Sequence, residues 1–242
     1  MNNSKLEIKQ KQFNIAMALY DNKKSYQLFG KLISTINISM QIFLLYKILP
    51  LTIGFGWQLI SLGVAYFLAD FINGLVHMYM DNNDNYDSLP GPLIAAFHLH
   101  HRTPVYKKNP ILLVYFNESG SKIWLAVFLI IIAANSLFFD INALVLYTVF
   151  YFAVFSTIAE VSHYLCHKQN SMAVDFLAKI GLLLSKKHHG RHHLEDNVNY
   201  AFLNGMSDGL INVIARAVYP GYKNTTDQHY RLYAGNDTKN RG

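Results

Sequence analysis

Charge, cysteine and proline are all scarce in this chain. Asp, Glu, Lys and Arg make up 15% of its 242 residues, against roughly 25% in an ordinary soluble domain. The single cysteine, Cys166, excludes an intramolecular disulfide and cannot by itself hold an iron–sulfur cluster. Hydrophobic residues reach 52%, with 16 Phe and 16 Tyr, which excludes a disordered chain. A formal net charge of +6 would suit nucleic acid only if the cations gathered on one soluble surface. They are instead placed around apolar segments, so no nucleic-acid partner is expected, and the composition points to a membrane protein. No internal repeat and no second domain are visible, and residues 1–242 read as one domain.

Residues 123–139 and 141–159 carry no charge and are separated by Asp140 alone. Each is about long enough to cross a ~30 Å hydrocarbon layer at ~1.5 Å per residue. Residues 32–46 and 48–69 are likewise uncharged, with Lys47, Pro50 and Gly54 between their expected cores. The expectation is an all-α integral membrane protein with about four transmembrane helices in two hairpins. Lys and Arg number six in the arm at residues 1–31, four in the middle loop (Arg102, Lys107, Lys108, Lys122) and ten after residue 160, against Lys47 alone on the other side. This split places both termini and the middle loop on the cytoplasmic side. The first residues are polar and basic, without the apolar run and small-residue cleavage site of a signal peptide. Residues 172–184 have the apolar spacing of a helix lying at the membrane surface. The tail from Lys223 is polar and is expected to add little to the core.

Ten of the eleven histidines fall in four short groups, all on the expected cytoplasmic side. Asp70, Gly74 and His77 share one face of the helix that continues the second span, and His163 and His167 lie one turn apart beyond Glu160 on the fourth. The others are His98, His100 and His101 in the middle loop, and His188, His189, His192 and His193 after the surface helix. Neutral imidazole is a good ligand for iron, zinc and copper, and eight or nine of them would fill two metal positions with room for an exogenous ligand. Nearly all-histidine ligation also differs from the Glu-x-x-His pairs of soluble carboxylate di-iron bundles.

At these residues the sequence resembles the Kua, or plasmanylethanolamine desaturase, family of membrane lipid desaturases, which includes CarF and the plastid phosphatidylglycerol desaturase. The matching pieces are Asp70, Gly74 and His77 followed by Asp81, then His100-His101 with Pro104, His163 with His167, and Lys187-His188-His189 with His192-His193, Tyr200 and Gly205. Thr103 and Met78 depart from the family's usual Asp and Trp, and His98 is additional. The resemblance implies a histidine-rich cytoplasmic cap holding two iron ions, liganded from among His77, His100, His101, His163, His167, His188, His189, His192 and His193. It also implies O2-dependent removal of two hydrogens from a phospholipid chain, forming a plasmalogen vinyl ether or an acyl double bond. An external electron donor, cytochrome b5-like or ferredoxin-like, is then needed, since no flavin, haem or iron–sulfur motif is present.

Several other residues have two readings. Asp70 and Asp81 either orient ligating imidazoles through their second ring nitrogen or are solvated charges at helix ends. Asp208 and Asn204 are weaker candidates for the same role. Arg191 either pairs with a lipid phosphate or belongs to a solvated basic face. Cys166 is expected as a packed small side chain, His98 as a loop residue and His229 as an exposed one. Competing functions are a di-iron lipid hydroxylase, a metal transporter, which would need ligands near the midplane of its spans, and a haem electron carrier, which would leave most of the histidines unexplained.

Overall fold

The computed structural model describes residues 3–104, 109–168, 171–231 and 233, and among them the protein is all-α. Lys107 and Lys108 of the middle loop, and the tail from residue 234, lie outside the described residues. The helices are α1 (Asn3–Asn22), α2 (Lys24–Ile48), α3 (Phe55–Asn82), α4 (Gly91–Arg102), α5 (Ile111–Glu118), α6 (Ile123–Phe138), α7 (Ala143–Lys168), α8 (Met172–Lys179), α9 (Lys186–Leu194), α10 (Asp208–Val218) and α11 (Thr226–Arg231).

Three helices, α2, α3 and α7, are each long and apolar enough to cross a membrane. A fourth span forms if α5 and α6 count as one, although residues 111–121 and 123–138 meet at 86°. The four apolar segments read from the sequence thus map onto α2, α3, α6 and α7. They are consecutive pairs joined by short turns, but their packing is crossed. α3 lies along α7, and α2 lies against both α6 and α7. The core between them is built from small and branched side chains such as Ala65, Ala69, Leu125, Leu129 and Ala153. Outward-facing Leu45, Trp57, Leu59, Ile131 and Leu137 remain exposed, as lipid-facing residues should.

With lipid outside, apolar contact alone does not choose helix partners, so buried polar ties carry that specificity. Asn37 Nδ2 donates to the Ser119 carbonyl at 2.9 Å, Gln41 Nε2 donates to Thr157 Oγ1 at 3.0 Å, and Tyr115 donates to Gln41 Oε1 at 2.5 Å. At the other end Lys47 donates to the Ser136 carbonyl and Tyr147 to the Leu51 carbonyl. Lys122, a loop cation by sequence, is in fact buried. Its ammonium sits 2.8 Å from Glu160 and also donates to Asn73, pinning the start of α6 to α7 and α3.

The segment between the second and third spans is more than a loop, because it holds α4 and α5. Pro92 in the first turn of α4 removes an amide that would have no helical partner. The surface helix is shorter than its apolar pattern, ending at Lys179 because Gly181 takes φ +76 and turns the chain. α8 buries none of its side chains, and Met172 and Phe176 face outward, as a membrane-surface helix requires.

α1 and α11 close the cap over α4. Phe13, Ala16 and Met17 pack with Tyr86, Ile94, Ala95 and Tyr230. The end of the chain therefore contributes more than its polarity suggests: Thr226, Asp227, His229 and Tyr230 are all buried. His229 is 1% exposed rather than a surface residue, and His98 lies buried on α4 rather than in a loop. His98 Nε2 donates to the Met80 carbonyl at 2.9 Å, which leaves Nδ1 to accept from the Tyr86 hydroxyl at 2.8 Å. The Tyr86 oxygen then accepts from His229 Nδ1, also at 2.8 Å. One phenol thereby pairs with the Nδ1 atoms of two buried imidazoles, and neither joins the candidate metal groups described below.

Tyr86→Phe leaves both Nδ1 atoms unpaired and is expected to cost about 2–4 kcal/mol, read as a lowered Tm in detergent. Burial pushes His98 down to about 4, so its imidazole stays neutral in the fold but takes a proton at about pH 6.5 in the unfolded chain. The stability it contributes is therefore complete above about pH 6.5 and lost as pH falls toward about 4. Tm is expected to fall between pH 7 and 5, and to fall less in His98→Gln.

Candidate metal centre

Two long helices deliver the first imidazoles. His77 lies 22 residues along α3 and His163 20 residues along α7, counted from their starts at Phe55 and Ala143. At ~1.5 Å per residue both sit about 30 Å from the opposite turn, roughly one hydrocarbon thickness. α4 brings His100 and His101. α9, whose amino end is capped by Ser185 Oγ accepting from the His188 amide, brings His189, His192 and His193.

Eight of the nine candidate histidines converge. One group that could hold a metal ion is His100, His167, His189 and His193, and the other is His77, Asp81, His101 and His192. His163 joins the first, its Nε2 lying 2.9 Å from His189 Nε2 and 3.2 Å from His167 Nε2. Further close approaches run from His100 to His167 at 3.0 Å and from His189 to His193 at 3.0 Å. The two groups share a wall, with the rings of His101 and His193 5.2 Å apart and those of His189 and His192 5.4 Å apart.

The ninth, His188, belongs to neither group. Its Nε2 lies 2.6 Å from Asp208 Oδ2, and its ring packs so closely on Gly205 that a Cβ there would meet the imidazole. Asp208 also accepts from the Ala201 amide. The i, i+3 and i+4 spacings of α9 do not separate His188 from His189, His192 and His193. What separates them is that His188 faces the 200–208 segment.

Asp81 enters the centre in a way the sequence reading did not foresee. It stands at the Nε2 ends of three rings, not behind them: 3.3 Å from His77, 3.4 Å from His101 and 3.3 Å from His192. The second nitrogens have other partners. His77 Nδ1 lies 2.7 Å from the Tyr200 carbonyl and His192 Nδ1 lies 3.1 Å from the Val198 carbonyl. A carbonyl only accepts, so both Nδ1 atoms carry the proton and both Nε2 atoms present lone pairs. Those lone pairs face a carboxylate whose two oxygens are buried and have no hydrogen-bond partner. With Asp81 ionised, lone pair faces lone pair in a buried site, which is repulsive, and a metal ion or a proton placed between them removes the conflict. The donor set therefore fits a metal. Burial first, then neighbouring imidazoles, hold His100, His101 and His189 well below the ordinary histidine range, and burial pushes His192 and His193 down to about 3. Neutral imidazole is the form that binds metal.

The surrounding shell fixes these rings. Phe202, part of the core between the spans, touches the rings of both His77 and His163 at 5.5 Å and separates the centre from that core. Tyr222 contacts the His101 ring at 4.9 Å and donates to the His192 carbonyl. Asp70 orients no imidazole. Its carboxylate accepts from the amides of Leu203, Asn204, Gly205 and Ser207 and from the Ser207 hydroxyl, clamping to α3 the loop that follows Tyr200. Asn204 in that loop donates to the Gly181 carbonyl. Gly74 allows the same approach, since a Cβ there would strike Ile211 and crowd the Ala201 backbone. Arg191 forms an exposed pair with Glu195 at 3.0 Å, and Cys166 is buried away from both groups, as expected of a packed thiol.

Asp70→Asn keeps one acceptor oxygen but turns an NH2 donor either toward the Ser207 amide and hydroxyl or toward the amides of Leu203, Asn204 and Gly205. A loss of about 3 kcal/mol is expected, measured as a lower Tm in detergent together with a lower metal content per chain.

Curated proteins and solved structures give no match. The family model described as the lipid desaturase domain matches residues 66–216, a stretch that contains both candidate metal-holding groups, the Asp70 clamp and most of α10. The chain therefore belongs to the lipid desaturase family, of the Kua or plasmanylethanolamine desaturase type to which its histidine motifs pointed.

Proposed function

We propose that the protein is an O2-dependent membrane phospholipid desaturase whose two groups hold two iron ions. The observation that carries this reading is the buried Asp81 carboxylate, without a hydrogen-bond partner, facing three Nε2 atoms beside five further imidazoles. Family membership supports a lipid substrate and oxidoreductase chemistry. Iron bound here would supply the oxidant that removes two hydrogens from an unactivated chain, while O2, two electrons and two protons complete the balance as two waters.

The chain's own residues would position and seclude that chemistry. His77 and His192 are aimed by the Tyr200 and Val198 carbonyls, which fix the tautomer that keeps Nε2 available. Phe202 lies between the centre and the core of the spans, so the reactive carbon of a lipid entering between helices would approach on that side. The rings of Phe97, Tyr200 and Tyr222 keep water from the His77 side. We place both termini and the centre on the cytoplasmic side, because the Lys and Arg count favours it. The substrate is an alkyl ether phospholipid that becomes a vinyl ether, with acyl-chain desaturation as the second reading, and electrons come from a cytochrome b5-like or ferredoxin-like donor.

His163→Ala and His192→Ala are expected to abolish product formation while the protein still inserts. The measurement is mass spectrometry of lipids from expressing cells supplied with an alkyl ether phospholipid and a compatible donor. An acid-labile product lacking two hydrogens, present only with wild type, supports vinyl-ether formation. An acyl lipid lacking two hydrogens changes the substrate, and a hydroxylated lipid replaces desaturation by hydroxylation. Full activity in either variant removes the ligand assignment.

A further inference from the structure

The two groups that face each other across the His101–His193 wall differ in charge and in depth. Five imidazoles, His100, His163, His167, His189 and His193, form one with no carboxylate among them. The other combines three imidazoles with Asp81, whose carboxylate is fully buried. A second carboxylate, Asp227, stands 3.6 Å from His101 Nδ1 behind the same group. Lys223 reaches Asp227 at 3.3 Å, and the same ammonium lies beside the five-imidazole group, donating to the His193 carbonyl at 2.7 Å. Negative charge thus gathers around one position, while the Lys223 ammonium borders both.

A divalent ion leaving water for a buried site loses most of its hydration, and neutral ligands return only part of that loss. A carboxylate halves the uncompensated charge, and the gain is large where the local dielectric is low. Exposure adds a second difference. In the Asp81 group His77, Asp81 and His192 are buried and only His101 is partly exposed, whereas in the other group His163 and His189 are buried and His100, His167 and His193 are only partly so. The all-imidazole position is therefore both less compensated and easier to reach.

We propose that the two positions are inequivalent and fill in order. The Asp81 group takes the first divalent cation and holds it tightly, and the five-imidazole group takes the second and exchanges it. This rests on the reading of the centre as holding two metal ions, though not on the lipid reaction. Asp81 acts as the charge-compensating ligand that creates the difference.

The test uses the full-length protein in detergent, stripped by chelator and reloaded without oxygen with Co(II), whose visible bands report each site. Bound metal is counted by mass spectrometry at graded chelator concentrations. Two equivalents leaving in separate steps are expected, with affinities apart by on the order of ten- to a hundredfold. Asp81→Asn should abolish the tight step, whereas His167→Ala should abolish the weak step and keep the tight one. If Asp81→Asn fails to fold, His167→Ala alone decides the matter. Simultaneous release of both ions by wild type, loss of the tight step in His167→Ala, or no Co(II) bound by folded wild type would overturn the proposal. Two-step binding by a protein that makes no unsaturated lipid leaves the ordering intact and removes only the desaturase reading. One-step binding by a protein that makes such a lipid does the reverse.

Discussion

The structure is organised around a conflict of lone pairs. His77 and His192 each give their ring proton to a backbone carbonyl and so turn an unshared pair toward Asp81, whose own oxygens have no hydrogen-bond donor among the described residues. Such an arrangement survives only where packing enforces it, and much of the fold is concerned with that enforcement. Asp70 holds the 203–207 loop, Tyr222 ties α9 from behind, and Lys122 joins α3 to α6 and α7 beneath Phe202. Each tie fixes a backbone segment that carries or aims a ligand.

The membrane sets the other boundary condition. α3 and α7 are packed along each other for most of their length, so their last turns emerge together and bring His77 and His163 within 6.4 Å, ring to ring. α4 and α9 are too short to stand alone and depend on the rest of the cap. α4 is held by α1 and α11, and α9 is held by Ser185, Asn199 and Tyr222. Long helices supply depth, and short ones complete the cluster of imidazoles.

Much of this was legible in the sequence. Uncharged runs give the spans because lipid tolerates little else, and histidines at one-turn spacing on helices that continue those runs give the centre. What local pattern does not carry is direction across space. His188 and His189 are neighbours with the same chemistry, yet one meets Asp208 and the other meets His163, and only the path of residues 200–208 decides which. Asp81 reads either as a carboxylate behind an imidazole or as a helix-end charge, and its place among the Nε2 atoms shows only when His101 and His192 are brought beside His77. His98 and His229 look like ligand candidates or surface residues, but Tyr86 claims both. The polar tail is misleading for a related reason: Thr226, Asp227 and His229 are buried, with hydrogen bonds such as Thr226 to the Asp81 carbonyl that hydropathy does not register.

That last contact bears on how the molecule comes to be made. α11 follows every other described helix in synthesis, yet it packs on α1 and α4, and its Asp227 stands behind His101. Until the ribosome has released those residues, the outer wall of the ligand cage is missing while the spans are already in the bilayer. Closure of the cage therefore follows insertion of the spans and waits for α11.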